Sequence, residues 1–129
     1  RTTDPYANPN SPGWRLMRMI LETWIHESPA PVLIVPLPLW NHFLTESSDT
    51  PAYSARFAEL AASTGSHIYD PLPDLLNVPP AERRLLWDHR TVHLSEAGHR
   101  FIGDKLAAAI EPLLPPVTTP KVAEPAAEA

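Results

Sequence analysis

Residues 31–40 read "PVLIVPLPLW", the longest apolar run in a chain of 129 residues. β-Branched residues near its start and apolar residues at consecutive positions are typical of a strand buried on both faces of a parallel sheet. Pro36 and Pro38 should end the pairing of this strand, because proline has no N–H to donate. The run is about half as long as the roughly 20 residues that a membrane helix needs, so we expect no membrane insertion.

A helix is predicted just before this strand, in "SPGWRLMRMILETWIHES" (residues 11–28). Ser11 can cap the helix, and Pro12 suits its first position, where no N–H is needed. The apolar residues recur at three- and four-residue spacing: Trp14, Met17, Leu21 and Trp24. This spacing predicts an apolar face, with the charged residues on the side that meets solvent.

After the strand, the chain continues to alternate between helix and strand patterns. A polar loop (residues 41–51) precedes a helix that Asp49 or Thr50 should cap and Gly65 should stop. "SHIYD" (residues 66–70) predicts a second short strand, and residues 71–87 predict two short helical pieces. Ser95 should cap the last helix, whose apolar stripe consists of Phe101, Leu106, Ile110 and Leu113.

This alternation predicts the α/β class, with a three-layer α/β/α architecture around a parallel sheet. Two strands are too few for such a sheet, which usually has about five or six, so we expect the domain to be incomplete in this chain. The first residue is Arg1 rather than Met, and we expect the missing strands upstream or in a partner chain. We divide the chain into an irregular segment (1–10), the α/β part (11–114) and a disordered tail rich in proline and alanine (115–129).

Composition excludes some classes of partner. The formal net charge is −5 and the ten Lys and Arg residues are scattered, so the basic patch of a nucleic-acid-binding protein is missing. No cysteine is present, which excludes disulfides and thiolate chemistry and favours, without establishing, a reducing compartment such as the cytoplasm.

The richest polar stretch is "WDHRTVHLSEAGHRF" (residues 87–101), just ahead of and into the last helix. It could be a solvated loop in which Ser95 is an ordinary N-cap and His99 a surface residue. Alternatively, His93 stands at the mouth of the last helix and can reach over the carboxyl edge of the sheet, where α/β proteins bind their ligands. A zinc site from Asp88, His89, His93 and His99 is a third possibility, but the residues would straddle a loop and we expect no metal.

The stretch "VHLSEAGHRFIGDKLAAAI" (residues 92–110) resembles the last sequence block of the SGNH (GDSL-type) hydrolases, and the order of upstream elements is similar over residues 11–114. The resemblance implies a flavodoxin-like fold, a small-molecule ester substrate and no cofactor. It also implies that His93 is the general base of a Ser-His-Asp triad. An imidazole in that role takes the serine proton and needs an acceptor on its other nitrogen.

The chain departs from the family pattern at two points. The family's acid lies three residues before the histidine, where this chain has Arg90; Asp88, five residues before His93, is the nearest acid that could orient it. Neither "GDS" nor "GxND" occurs, and Ser11, Ser54 and Ser95 occupy cap or helix positions that do not suit a nucleophile. We therefore expect a C-terminal half that lacks the nucleophilic serine and the oxyanion donors and is inactive alone.

Asn41 and His42, in the loop after the first strand, are candidates for binding the acyl or alcohol group of a substrate. The alternative for His42 is a loop histidine packed among its aromatic neighbours. For the whole chain, the alternative to a hydrolase is a non-catalytic α/β module that binds or interacts without turnover.

Overall fold

The computed structural model describes residues 4–44, 51–123 and 125–127. In chain order its elements are α1 (Pro12–Glu27), β1 (Leu33–Ile34), α2 (Trp40–Phe43), α3 (Ala52–Thr64), β2 (His67–Ile68), α4 (Leu72–Leu76), α5 (Pro80–Arg83), a 3₁₀ turn (Arg84–Leu86), β3 (Trp87–Asp88), β4 (His93–Leu94), α6 (Glu96–Ile110) and a second 3₁₀ turn (Glu111–Leu113). Asp49 and Thr50, the predicted caps of α3, lie outside the described residues.

The chain is a mixed helix and strand structure, 54% helical and 7% strand, which agrees with the general α/β class. Two small sheets lie within the described residues. Strands β1 and β2 pair in parallel, and β3 and β4 pair antiparallel. The parallel pair is the arrangement that the alternating sequence pattern predicts. The antiparallel hairpin was not predicted.

Helix α1 begins as expected, with the backbone N–H of Trp14 donating to Oγ of Ser11 over 3.3 Å. Its apolar face is buried in part: Trp14 lies in the core, whereas Met17 is exposed and Trp24 is 71% exposed. Leu16 and Ile20 extend this exposed apolar surface along the helix. Within the described residues, most of the face has nothing packed against it.

Strand β1 is paired along one edge. The N–H of His67 donates to the carbonyl of Val32, and that of Tyr69 donates to the carbonyl of Ile34, each over 2.9 Å. In this parallel register, the backbone N–H and C=O of Leu33 point to the other edge. That edge faces a groove of about 460 Å³ between β1 and the C-terminal half of α1, which we call the α1–β1 groove; Trp24 is part of its lining.

The core lies on the other side of the molecule, between the short helices, the hairpin and α6. Its buried residues are Phe43, Tyr53, Leu72, Leu75, Leu86, Trp87 and Ile102. The N-terminal segment joins it through Tyr6, whose ring lies 5.8 Å from Trp14 and 6.2 Å from Tyr53 between centroids. Beyond the second 3₁₀ turn, the described residues form no helix or strand and are exposed. Among the described helices, none is both long and apolar enough to cross a membrane.

Candidate functional site

The predicted catalytic residues face each other across the β3–β4 hairpin. Its register pairs Asp88 with His93 and Trp87 with Leu94. Because successive side chains of a strand point to opposite faces, the buried Trp87 puts Asp88 on the outward face. Directly opposed residues share a face, with Cβ atoms about 5 Å apart. The hairpin therefore brings Asp88 and His93 together on its outer side, and His93 is exposed there.

Two hydrogen bonds to Asp88 close the loop between these strands. The N–H of Arg90 donates to the Asp88 carboxylate Oδ1 over 2.9 Å, and the N–H of Val92 donates to the Asp88 carbonyl over 3.0 Å. Val92 has a φ of 54°, a left-handed conformation that is unfavourable for a β-branched residue and costs roughly 1–2 kcal/mol. The loop thus holds a strained residue directly before His93, the kind of position where functional sites are often found.

The carboxylate of Asp88 is hydrogen-bonded to the backbone of this loop. The N–H of Arg90 is the main reason that the pKa of Asp88 lies below its ordinary value, since it stabilises the charged form. Nε of Arg90 is 3.7 Å from Oδ1 of Asp88, a distance too long for a hydrogen bond. Within the described ranges, no hydrogen bond joins Asp88 to the His93 imidazole.

Three other residues of the "HLSEAGH" motif have structural roles. Ser95 caps α6, where its Oγ accepts from the N–H of Gly98 over 3.1 Å and donates to the carbonyl of Leu85 over 2.5 Å. A Cβ at Gly98 would overlap the carbonyl oxygen of Leu86, so glycine allows α6 to approach the 3₁₀ turn. Leu94 packs against the core. His93 and His99 differ from these residues, because both are exposed and neither imidazole has a hydrogen bond within the part of the chain that the structure describes.

Asn41 and His42 lie on the short helix α2, where Asn41 is exposed and His42 is half-buried. Nδ1 of His42 accepts from the N–H of Leu39 over 3.1 Å, and its ring lies 5.2 Å from the Tyr53 ring. This packing is the structural role that we weighed against substrate binding, and it leaves Nε2 as the nitrogen that carries the proton. Asn41 has no such structural contact among the described residues.

An aromatic contact joins this loop to the hairpin. The rings of Phe43 and Trp87 meet edge to face with centroids 5.6 Å apart, and both are buried. Each ring is next in sequence to a candidate residue, His42 in one case and Asp88 in the other. The structure thus brings the two candidate segments to neighbouring positions on one core.

Arg83 is a structural residue that sequence analysis missed. Its guanidinium donates to three backbone carbonyls: Nη1 to Phe43 over 3.1 Å, Nε to Val78 over 2.6 Å and Nη2 to Leu76 over 3.1 Å. It therefore ties the α2 loop to the segment that leads into the hairpin. No sequence signal marks this role, because the three acceptors are backbone atoms.

The three serines considered as nucleophiles have other partners. Ser11 and Ser95 cap helices, and Ser54 donates to Oδ2 of Asp70 over 2.5 Å. None is hydrogen-bonded to a histidine in the described residues. There, too, no three His, Asp or Glu side chains are close enough together to hold a metal ion, so the zinc possibility has no support.

Comparisons with models of protein families, with curated proteins and with solved structures find no significant match to this chain. The candidate site therefore has to be judged from its own geometry.

Proposed function

We propose that this chain is the C-terminal part of a serine ester hydrolase of the SGNH type, in which His93 is the general base. The observation that supports the proposal best is the contrast inside the "HLSEAGH" motif. Leu94, Ser95 and Gly98 have packing or capping roles, whereas the exposed side chains of His93 and His99 have none among the described residues, and of these two histidines it is His93 that lies opposite Asp88 on the hairpin. A functional role would explain a histidine held on an ordered hairpin beside a strained residue.

In this proposal the nucleophilic serine comes from outside residues 1–129. Its Oγ attacks the carbonyl carbon of a small-molecule ester while His93 takes the hydroxyl proton, and the alcohol then leaves with that proton. Water, deprotonated by His93, cleaves the resulting acyl-serine and releases the acid. The mechanism needs no cofactor.

In this proposal Asp88 orients the imidazole. The register that places it opposite His93 supports the assignment. The bond from the Arg90 N–H uses one lone pair of a carboxylate that has about four acceptor sites, so acceptor sites remain for Nδ1 of His93. Asn41, exposed beside the core that carries the hairpin, is assigned to substrate binding together with Nε2 of His42.

The finer fold, a three-layer α/β/α domain completed by strands from elsewhere, belongs to the same proposal. The free edge of β1 and the exposed apolar face of α1 support it, because they adjoin the same α1–β1 groove. A strand added to β1 would pair with the backbone of Leu33 and cover Trp24.

The test is ester hydrolysis by the complete gene product. His93→Ala should lower kcat by a factor of about 10² to 10⁴, because the serine loses its base. His99→Ala is the matched control: it removes an exposed histidine of the same motif from α6 and should change kcat little. Equal losses from the two variants would show that the base is misassigned. A wild-type protein that folds, binds esters and never cleaves them would favour the non-catalytic module.

A further inference from the structure

The tip of the β3–β4 hairpin presents an exposed cation. The backbone of Arg90 is fixed by its N–H bond to Asp88, and its side chain is 92% exposed. Its contact with Asp88, at 3.7 Å, is a solvent-exposed pair of the kind that contributes little. No hydrogen bond of the guanidinium is formed within the described residues, so its fork of N–H donors is available to a ligand.

This cation lies close to the proposed base. Asp88 is the cross-strand partner of His93 and also the nearest carboxylate to Arg90. His93 and Arg90 are therefore both neighbours of Asp88, at the same end of the hairpin. A small molecule whose ester is at His93 would have its remaining atoms within reach of Arg90.

The charge distribution favours an anion at this end of the molecule. With neutral histidines, residues 84–100 have a formal charge of +1 from three arginines and two carboxylates, whereas the rest of the chain has −6 from seven cations and thirteen carboxylates. An anionic ligand is therefore repelled less by this segment than by the rest of the acidic chain.

We infer that Arg90 is a specificity-determining residue that binds a carboxylate carried by the ester substrate. Arginine pairs with a carboxylate through two parallel N–H···O bonds, which fix orientation as well as adding affinity. This inference rests on the proposed function, because it supposes that an ester is cleaved at His93.

The bound carboxylate would also assist the reaction. A guanidinium near the imidazole disfavours the imidazolium that forms when the serine gives up its proton. A substrate carboxylate bound to Arg90 neutralises the charge of the guanidinium. An anionic ester therefore makes the imidazolium easier to form during its own cleavage. A neutral ester leaves the charge of Arg90 opposed, among the described residues, only by its exposed contact with Asp88 and should react more slowly.

The experiment compares two esters of equal length with the complete gene product: mono-4-nitrophenyl adipate, which carries a carboxylate, and its neutral methyl ester. The wild type should prefer the anionic ester. Arg90→Gln should lower kcat/KM for that ester by about tenfold and should not lower it for the methyl ester, since one charge-assisted pair is lost. Arg90→Lys keeps the charge but loses the paired N–H donors of the guanidinium. Its kcat/KM for the anionic ester should therefore lie between the values for the wild type and Arg90→Gln.

Arg100→Gln is the matched control, because Arg100 is an exposed arginine paired with Glu96 on α6; it should keep the wild-type ratio of the two rates. If both esters are cleaved and Arg90→Gln leaves their ratio unchanged, the inference about Arg90 is wrong and the hydrolase proposal stands. If neither ester is cleaved and a fluorophosphonate labels no serine, both are wrong.

Discussion

Asp88 closes the hairpin loop and is also the residue that we propose orients His93. Its carboxylate closes the hairpin loop on the N–H of Arg90, and its place in the register sets it opposite His93. The nearest acid before His93 in the sequence is thus also opposite it in space. The sequence does not show that the Asp88 carboxylate also accepts a hydrogen bond from the Arg90 N–H, because that bond depends on the turn conformation of residues 89–92.

The hydrogen bond from the Arg90 N–H to the Asp88 carboxylate predicts that the stability of the protein depends on pH. The pKa of Asp88 is lower in the folded chain than its ordinary value near 3.8, so its charge stabilises the fold above that value, and this contribution disappears as the pH falls through the folded pKa. Asp88→Asn keeps an acceptor oxygen and removes the charge. Chemical denaturation of both proteins should show the wild type more stable at pH 7, and the difference should shrink as the pH falls below 3.8 and through the folded pKa. A gap that persists at low pH would mean that the Asp88 charge is not responsible.

At the scale of the elements, helix α6 lies very close to the first 3₁₀ turn at Gly98. A Cβ at Gly98 would overlap the Leu86 carbonyl oxygen and would lie 3.2 Å from Cδ2 of Leu94. Gly98→Ala should therefore destabilise the protein by about 1–3 kcal/mol, because the helix has to move away from the 3₁₀ turn. Gly103→Ala, on the same helix with open space around its Cβ, should stabilise it by up to about 1 kcal/mol through helix propensity. Thermal unfolding of both variants measures the difference, and similar shifts in Tm would contradict the packing argument.

Helix ends and the parallel strand pair were predictable, since their signals are local. Ser11 and Ser95 cap their helices, and Gly65 ends α3 with a φ of 71°. The β3–β4 hairpin was not predictable, because each strand has two residues and shows no measurable alternation. Its Trp87 packs against Phe43, which lies 44 positions away along the chain. Tertiary contacts of this kind leave no pattern in a short window of sequence.

At the scale of the whole molecule, the two sides differ. One side has a closed core beneath the candidate site, and the other has a β1 edge whose Leu33 backbone groups have no partner in the described residues, next to an apolar helix face. The exposure of Trp24 could not be predicted, because a helical pattern shows which face is apolar and not whether a partner covers it. Both features fit a unit that is completed by further strands, which is also where the proposed nucleophile would lie.

The central claim is that His93 activates a serine outside residues 1–129, and covalent labelling tests it most directly. The complete gene product is treated with a fluorophosphonate, and the modified residue is located by mass spectrometry. We predict a single labelled serine outside these residues and labelling at least about 100-fold slower in His93→Ala, since the serine loses its base. A label on Ser54 or Ser95, or wild-type labelling rates in His93→Ala, would contradict the account.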